Sequence, residues 1–228
     1  MKSIILLHGA IGAKDQLEPL AVALKQYDYV VYTLNFSGHG QVPFQNNFSI
    51  EQFSSELKQF IFDNNLSKPI VFGYSMGGYV ALHLAHQQPE LLGNIITLGT
   101  KFEWSPEISQ KEIKSLDPKT IIEKVPRFAE TLQKRHGQDW ELLLQKTADM
   151  MIGLGITNTL SVNDFSSIHN RVLIGLADKD SMVSAEETIA VYKQLKSGFM
   201  YMLPFTKHPI ETVNISLLAG FISDFNKL

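Results

Sequence analysis

The chain of 228 residues contains no cysteine, which excludes disulfides, thiolate metal sites and thiol catalysis together. Glycine and proline stand near their average shares and 19% of the residues are charged, so collagen-like, low-complexity and disordered classes are set aside. Neither sign of charge dominates: the formal net charge is −3, and scattered lysines and arginines offer a nucleic-acid backbone no electrostatic footprint. Long hydrophobic runs are missing as well. No stretch approaches the roughly 18–20 apolar residues of a membrane helix, and the first apolar run, Ile4-Ile5-Leu6-Leu7, is too short for a signal core and lacks a cleavage site. The expectation is a cytoplasmic protein that engages neither membrane nor nucleic acid.

What is present is 44% hydrophobic residues, enough for one sizeable core. Short β-branched runs bounded by turn residues alternate with segments of helical period. That alternation belongs to an α/β architecture, a mostly parallel twisted sheet flanked by helices on both faces. Six strands are expected, at Ile4–Leu7, Tyr29–Asn35, Ile70–Gly73, Asn94–Leu98, Val172–Leu176 and Phe199–Leu203. Leu17, Leu20, Ala21 and Leu24 follow helical spacing behind an Asp15/Glu18 pair that reads as a capping box. Ser49 with Gln52, and Ser184 with Glu187, open two further helices, and Pro209 suits the first turn of the last. Residues 101–169 break the rhythm. They carry helix starts at Ser105-Pro106, Asp117-Pro118 and Asp139-Trp140 but no convincing strand, and read as a helical cap inserted into a core formed by residues 1–100 and 170–228.

The strongest chemical signal is Gly73-Tyr74-Ser75-Met76-Gly77, directly after one expected strand and directly before a helix. In that context it reads as a nucleophile elbow, a strained turn that projects Ser75 from the sheet edge, with Gly73 and Gly77 in place of side chains that would crowd it. His8-Gly9-Ala10-Ile11-Gly12 follows the first strand, where Gly9 and Gly12 let the main chain approach closely. The backbone N–H groups of Ala10 and Met76 are candidate donors to a developing oxyanion, and His8 is expected to order the loop by a hydrogen bond. A serine hydroxyl needs a base, and that base needs an orienting acid. Of the seven histidines, His208 alone falls between the last strand and the last helix, where the base of such a chain order belongs. The loop after the fifth strand offers two carboxylates, Asp178 and Asp180. His83 and His86, one helical turn apart, lack a third ligand and read as two exposed imidazoles, so no metal site is expected.

These motifs resemble the α/β-hydrolase superfamily, in its small cap-bearing bacterial branch of carboxylesterases, enol-lactone hydrolases and carbon–carbon bond hydrolases. The resemblance spans almost the whole chain: His8 to Gly12 is similar to the family's H-G-x-x-G. Asn35-Phe36-Ser37-Gly38-His39-Gly40 is similar to its D-x-x-G-H-G with Asn for Asp, and Ala177 to Val183 to its G-x-x-D-x-x-V with Ala for the usual Gly. The alignment implies that the acid is Asp180, three residues before Val183, and that the sheet begins at what the family counts as its third strand. It implies acyl transfer through Ser75, His208 and Asp180 without cofactor or metal. The expected substrate is a small carboxylic ester or lactone with a largely apolar acyl part, and Ile11, Lys101, Phe102 and Trp104 are candidate contacts. Lys101 with Arg127 would suit a carboxylate. The same resemblance admits carbon–carbon bond or thioester cleavage, and slow-turnover receptors that retain the three residues.

Overall fold

Alternate residues of the first apolar run bury on opposite sides of the chain, which only a strand covered on both faces allows. In the computed structural model, which describes residues 1–227, β1 (Lys2–Leu7) sends Ile5 and Leu7 into one core and Ile4 and Leu6 into another. The chain continues through α1 (Glu18–Lys25), β2 (Tyr29–Leu34), α2 (Ile50–Asp63), β3 (Ile70–Tyr74), α3 (Met76–Gln87) and β4 (Ile95–Leu98). After α4 (Pro106–Glu112), α5 (Pro118–Lys124), α6 (Pro126–His136) and α7 (Trp140–Ile156) it returns to the sheet with β5 (Val172–Ala177), α8 (Ala185–Gln194), β6 (Gly198–Leu203) and α9 (Ile215–Phe225).

The six strands are parallel in the order β2-β1-β3-β4-β5-β6. The chain steps outward from β1 to β2 and then back across β1 to β3, so the connections leaving β1 and β3 diverge onto opposite faces. A crevice opens at such a switch point, at the carboxyl ends of the strands. Helices α2, α3 and α8 cover one face, and α1 with α9 covers the other. No helix among the described residues is long and apolar enough to cross a membrane.

Between β4 and β5 the chain is helical throughout its regular elements. Residues from α5, α6 and α7 gather around Leu132, Trp140 and Leu144 in a core of their own, and Ala10, Ile11 and Trp104 pack against it. Ser105 and Asp117 cap α4 and α5 by accepting the N–H groups of Ile108 and Thr120, as their spacing predicts.

Two expected helix starts move. Lys14–Leu17 winds as a 3-10 turn in which Gln16, not Glu18, reaches back to the Ala13 N–H at 3.2 Å. Asp15 is drawn away to Arg135, whose Nε lies 3.1 Å from its carboxylate. Pro209 precedes only a short 3-10 turn, and α9 waits for Asn214, whose side chain accepts the Leu217 N–H at 3.0 Å. An asparagine oxygen satisfies an orphan helix donor, which the proline ring cannot do.

β3 and the first turn of α3 meet backbone to backbone. A Cβ at Gly73 would lie 2.4 Å from the Gly78 nitrogen and 2.5 Å from the Gly77 carbonyl carbon, backbone atoms that cannot swing aside. Gly73→Ala should therefore destabilise the fold by about 1–3 kcal/mol, lowering Tm by several degrees at ~2–4 °C per kcal/mol for a chain of this size. A calorimetric Tm equal to that of the parent would contradict this packing.

Candidate active site

Ser75 stands alone between the end of β3 and the start of α3, with φ 51° and ψ −118°. A positive φ is uncommon for a residue with a Cβ and persists only where the surroundings hold it. Here its N–H donates to Leu98 O at 2.8 Å, while its carbonyl accepts the Gly78 N–H at 3.0 Å and the Thr100 hydroxyl at 3.1 Å. The turn is pressed against β1 so closely that a Cβ at Gly77 would come within 2.6 Å of Leu7 O. Ser75 Oγ consequently stands at the crevice.

His208 reaches the same point from the loop between β6 and α9. Its Nε2 lies 3.3 Å from Ser75 Oγ and its Nδ1 lies 2.7 Å from Asp180 Oδ2. The Tyr74 hydroxyl donates to the His208 carbonyl at 2.9 Å. The second oxygen of Asp180 accepts the N–H groups of Met182 and Val183 at 2.8 and 3.0 Å, so both carboxylate oxygens are engaged on a side chain only 1% exposed. Burial alone would raise the Asp180 pKa, but the imidazole and the two amides outweigh it and hold the carboxyl below its ordinary value. Asp178 turns away and accepts the Thr206 N–H at 3.0 Å, a tie that steadies the loop carrying His208. Of the two carboxylates, Asp180 is the one that meets the imidazole.

Met76 occupies the first position of α3, where an amide has no acceptor within its own helix. Across the crevice, the turn Gly9–Gly12 is closed by the Gly12 N–H donating to Gly9 O at 3.1 Å. His8 is fully buried; its Nδ1 faces the same Gly9 carbonyl at 2.8 Å and its Nε2 accepts the Phe36 N–H at 3.2 Å. These partners require a neutral ring protonated on Nδ1, and burial lowers its pKa to about 4. His8 thus orders the loop, and Gly9 is excluded from having a side chain by Tyr74, whose ring would lie 2.8 Å from a Cβ.

The crevice is narrow and is bounded by Ala10, Ser75, Met76 and His208 on the core side and by Trp104, Met150, Met151 and Leu154 on the other. Lys101 borders it, but its ammonium donates to Met182 O at 2.8 Å and lies 3.6 Å from Glu187 and 4.0 Å from Glu112. Two carboxylates already answer that one charge. Glu187 also accepts the N–H groups of Phe102 and Glu103. Phe102 turns into the core against Phe165, ring centroids 5.4 Å apart, Ile11 packs on the helical core, and Arg127 lies exposed on α6. Of the four expected contacts, Lys101 and Trp104 reach the crevice.

The reading of His83 and His86 as two exposed imidazoles requires correction. His83 is buried, because α3 is covered on all sides by sheet and neighbouring helices, and burial lowers its pKa. His86 Nδ1 meets the Ser167 hydroxyl at 2.6 Å. Tyr74 and Glu187 escape a reading for site residues because the first occupies a variable place in its motif and the second is already explained as a helix cap.

A family model described as alpha/beta hydrolase fold matches residues 2–138, the stretch that contains the elbow and the His8–Gly12 turn. The chain belongs to the α/β-hydrolase fold family. Among curated relatives, the sn-1-specific diacylglycerol lipase ABHD11 of Xenopus laevis is 28% identical over 42% of this chain and 31% of its own length. A probable alcohol acetyltransferase of Saccharomyces cerevisiae is 33% identical over 42% of this chain and 29% of its own. The chain thus matches about a third of these relatives' length. Among solved structures, a thermophilic esterase from Thermogutta terrifontis superposes with a TM-score of 0.80 at 15% identity, covering 100% of this chain and 90% of that one. The enol-lactonase of Burkholderia xenovorans LB400 does so at 0.77 and 13%, covering 100% and 92%. At such identities the α/β-hydrolase fold is what is shared.

The neutral His8 carries a pH signature. An unfolded imidazole takes its proton near pH 6.5, the folded one only near 4. Between those values the unfolded state binds the extra proton, so stability falls with acidification, by about 3 kcal/mol for this one group. Thermal melts from pH 7 down to pH 4.5 should show Tm falling, with a shallower fall in His8→Gln. Parallel slopes in the two proteins would contradict the assignment.

Proposed function

We propose that the protein is a serine hydrolase that cleaves small, uncharged carboxylic esters or lactones through an acyl-enzyme on Ser75. The observation that carries this reading is the continuous chain from Ser75 Oγ through His208 to Asp180, at 3.3 and 2.7 Å, opening into an apolar crevice. In it, His208 Nε2 takes the hydroxyl proton as Ser75 attacks the carbonyl carbon. The tetrahedral oxyanion is met by the N–H groups of Ala10 and Met76, with the N-terminal dipole of α3 behind them. His208 then gives its proton to the departing alkoxide, and Asp180 steadies the imidazolium throughout. A water molecule repeats the sequence on the acyl-enzyme and releases the acid.

The helical segment 101–169 acts as the cap over this crevice, and its thioether side chains suit an adaptable apolar acyl group. The paired state of Lys101 disfavours an anionic substrate, for which a free cation would be wanted. Relatives named as a lipase and as an acetyltransferase fit a chemistry in which an acyl group moves, to water in one case and to an alcohol in the other.

A panel of short acyl esters and lactones should be turned over many times per chain. Ser75→Ala should lose at least about 10³-fold in kcat, and Asp180→Asn a comparable factor by leaving the imidazole in the wrong tautomer. Asp178→Asn should stay within about tenfold, since that side chain only ties a loop. Turnover that stops at one equivalent of acid per chain, or a larger loss in Asp178→Asn than in Asp180→Asn, would overturn the assignment.

A further inference from the structure

Ile11 follows the candidate oxyanion donor Ala10 with φ 51°, in a region where a β-branched residue is an outlier. Strain of this kind persists only when neighbours hold it, and here the neighbours belong to α6. His136, the last residue of that helix and 3% exposed, places Nε2 2.9 Å from Ile11 O. Its Nδ1 accepts the Gly40 N–H at 3.0 Å, which puts the ring proton on Nε2 and makes the imidazole the donor to Ile11. One residue earlier, Arg135 grips Asp15 just beyond the same turn, and the side chains of Ala10 and Ile11 rest on the helical core.

Peptide planes relay this hold. Ile11 C=O and Gly12 N–H belong to one planar unit, so fixing the carbonyl fixes the direction of that N–H. The Gly12 N–H in turn grips Gly9 O at 3.1 Å. Gly9 C=O and Ala10 N–H are the two ends of the next rigid unit, pointing in opposite directions across a trans bond. Two planes and two hydrogen bonds thus connect the His136 ring to the aim of the Ala10 N–H.

We infer that His136 is a positioning residue that aims the oxyanion donor Ala10 from outside the crevice, making the helical segment 101–169 a working part of the oxyanion site. The inference rests on the acyl-transfer reading above. Substrate binding in the ground state does not need a well-aimed oxyanion donor, whereas the tetrahedral transition state does. His136→Leu should lower kcat roughly 10- to 100-fold with KM changed less than about threefold, short of the roughly 10²- to 10³-fold cost of removing an oxyanion donor outright, because the donor is mis-aimed and not lost. The affinity for a short alkylboronic acid, which forms a tetrahedral anion on Ser75, should fall by the same factor. His136→Gln, which keeps one donor and one acceptor, should recover most of both. His136→Asn, polar but shorter, should behave like the leucine variant and serves if that one does not fold.

Unchanged kcat and boronate affinity in folded Leu or Asn variants, a rise in KM alone, or failure of Gln to restore either quantity would overturn the role of His136. Wild-type protein that neither turns over esters nor binds the boronic acid would instead remove the acyl-transfer reading, and this inference with it.

Discussion

The close approach of the first turn of α3 to β1 and β3 governs the whole carboxyl edge of the sheet. Backbone atoms meet there at distances that leave no room for a Cβ at Gly73 or Gly77. That contact brings the positive end of a helix to the strand ends, forces the intervening Ser75 to a positive φ, and leaves its side chain no direction except outward. The strained turn survives because Leu98, Gly78 and Thr100 satisfy both sides of its backbone.

Around this fixed point the remaining groups arrive on loops, each of which the structure ties down separately. Asp178 holds the β6 exit to the β5 exit through Thr206, and the amides of Met182 and Val183 hold Asp180. Glu187 joins the start of α8 to residues 102 and 103 and, through Lys101, to Met182 O. On the opposite side, His8, His39 and His136 form a buried cluster with ring centroids 4.8 and 6.1 Å apart along the chain of contacts. Burial lowers the pKa of all three, so they are bulky hydrogen-bonding spacers and not charges.

Much of this arrangement was legible in the amino-acid sequence because it is written locally. The strands are short apolar runs between turn residues, and the elbow is five consecutive residues between a strand and a helix. His208 could be singled out by chain order alone. Asp180 and Asp178 could not be separated by their own surroundings in the sequence, since both sit in one loop; the family pattern favoured Asp180 and the structure brings it to the imidazole. What the sequence withheld depends on partners far apart along the chain. Lys101 looks like a free cation until Glu112 and Glu187 fold against it. His136 reads only as one histidine within the expected cap until residue 11, 125 positions away, docks on it. Asp15 resembles a helix cap for the same reason: Arg135, its actual partner, lies 120 positions downstream.

Tyr74 precedes Ser75 in sequence and holds the carbonyl of His208 through its hydroxyl. Ser75 and His208 are separated by 133 residues of chain, yet through Tyr74 they are linked by one peptide unit, one side chain and one hydrogen bond. That short tether couples the β6–α9 loop directly to the serine turn. Ser75 Oγ and His208 Nε2 therefore share a common frame built from neighbouring residues of one strand end.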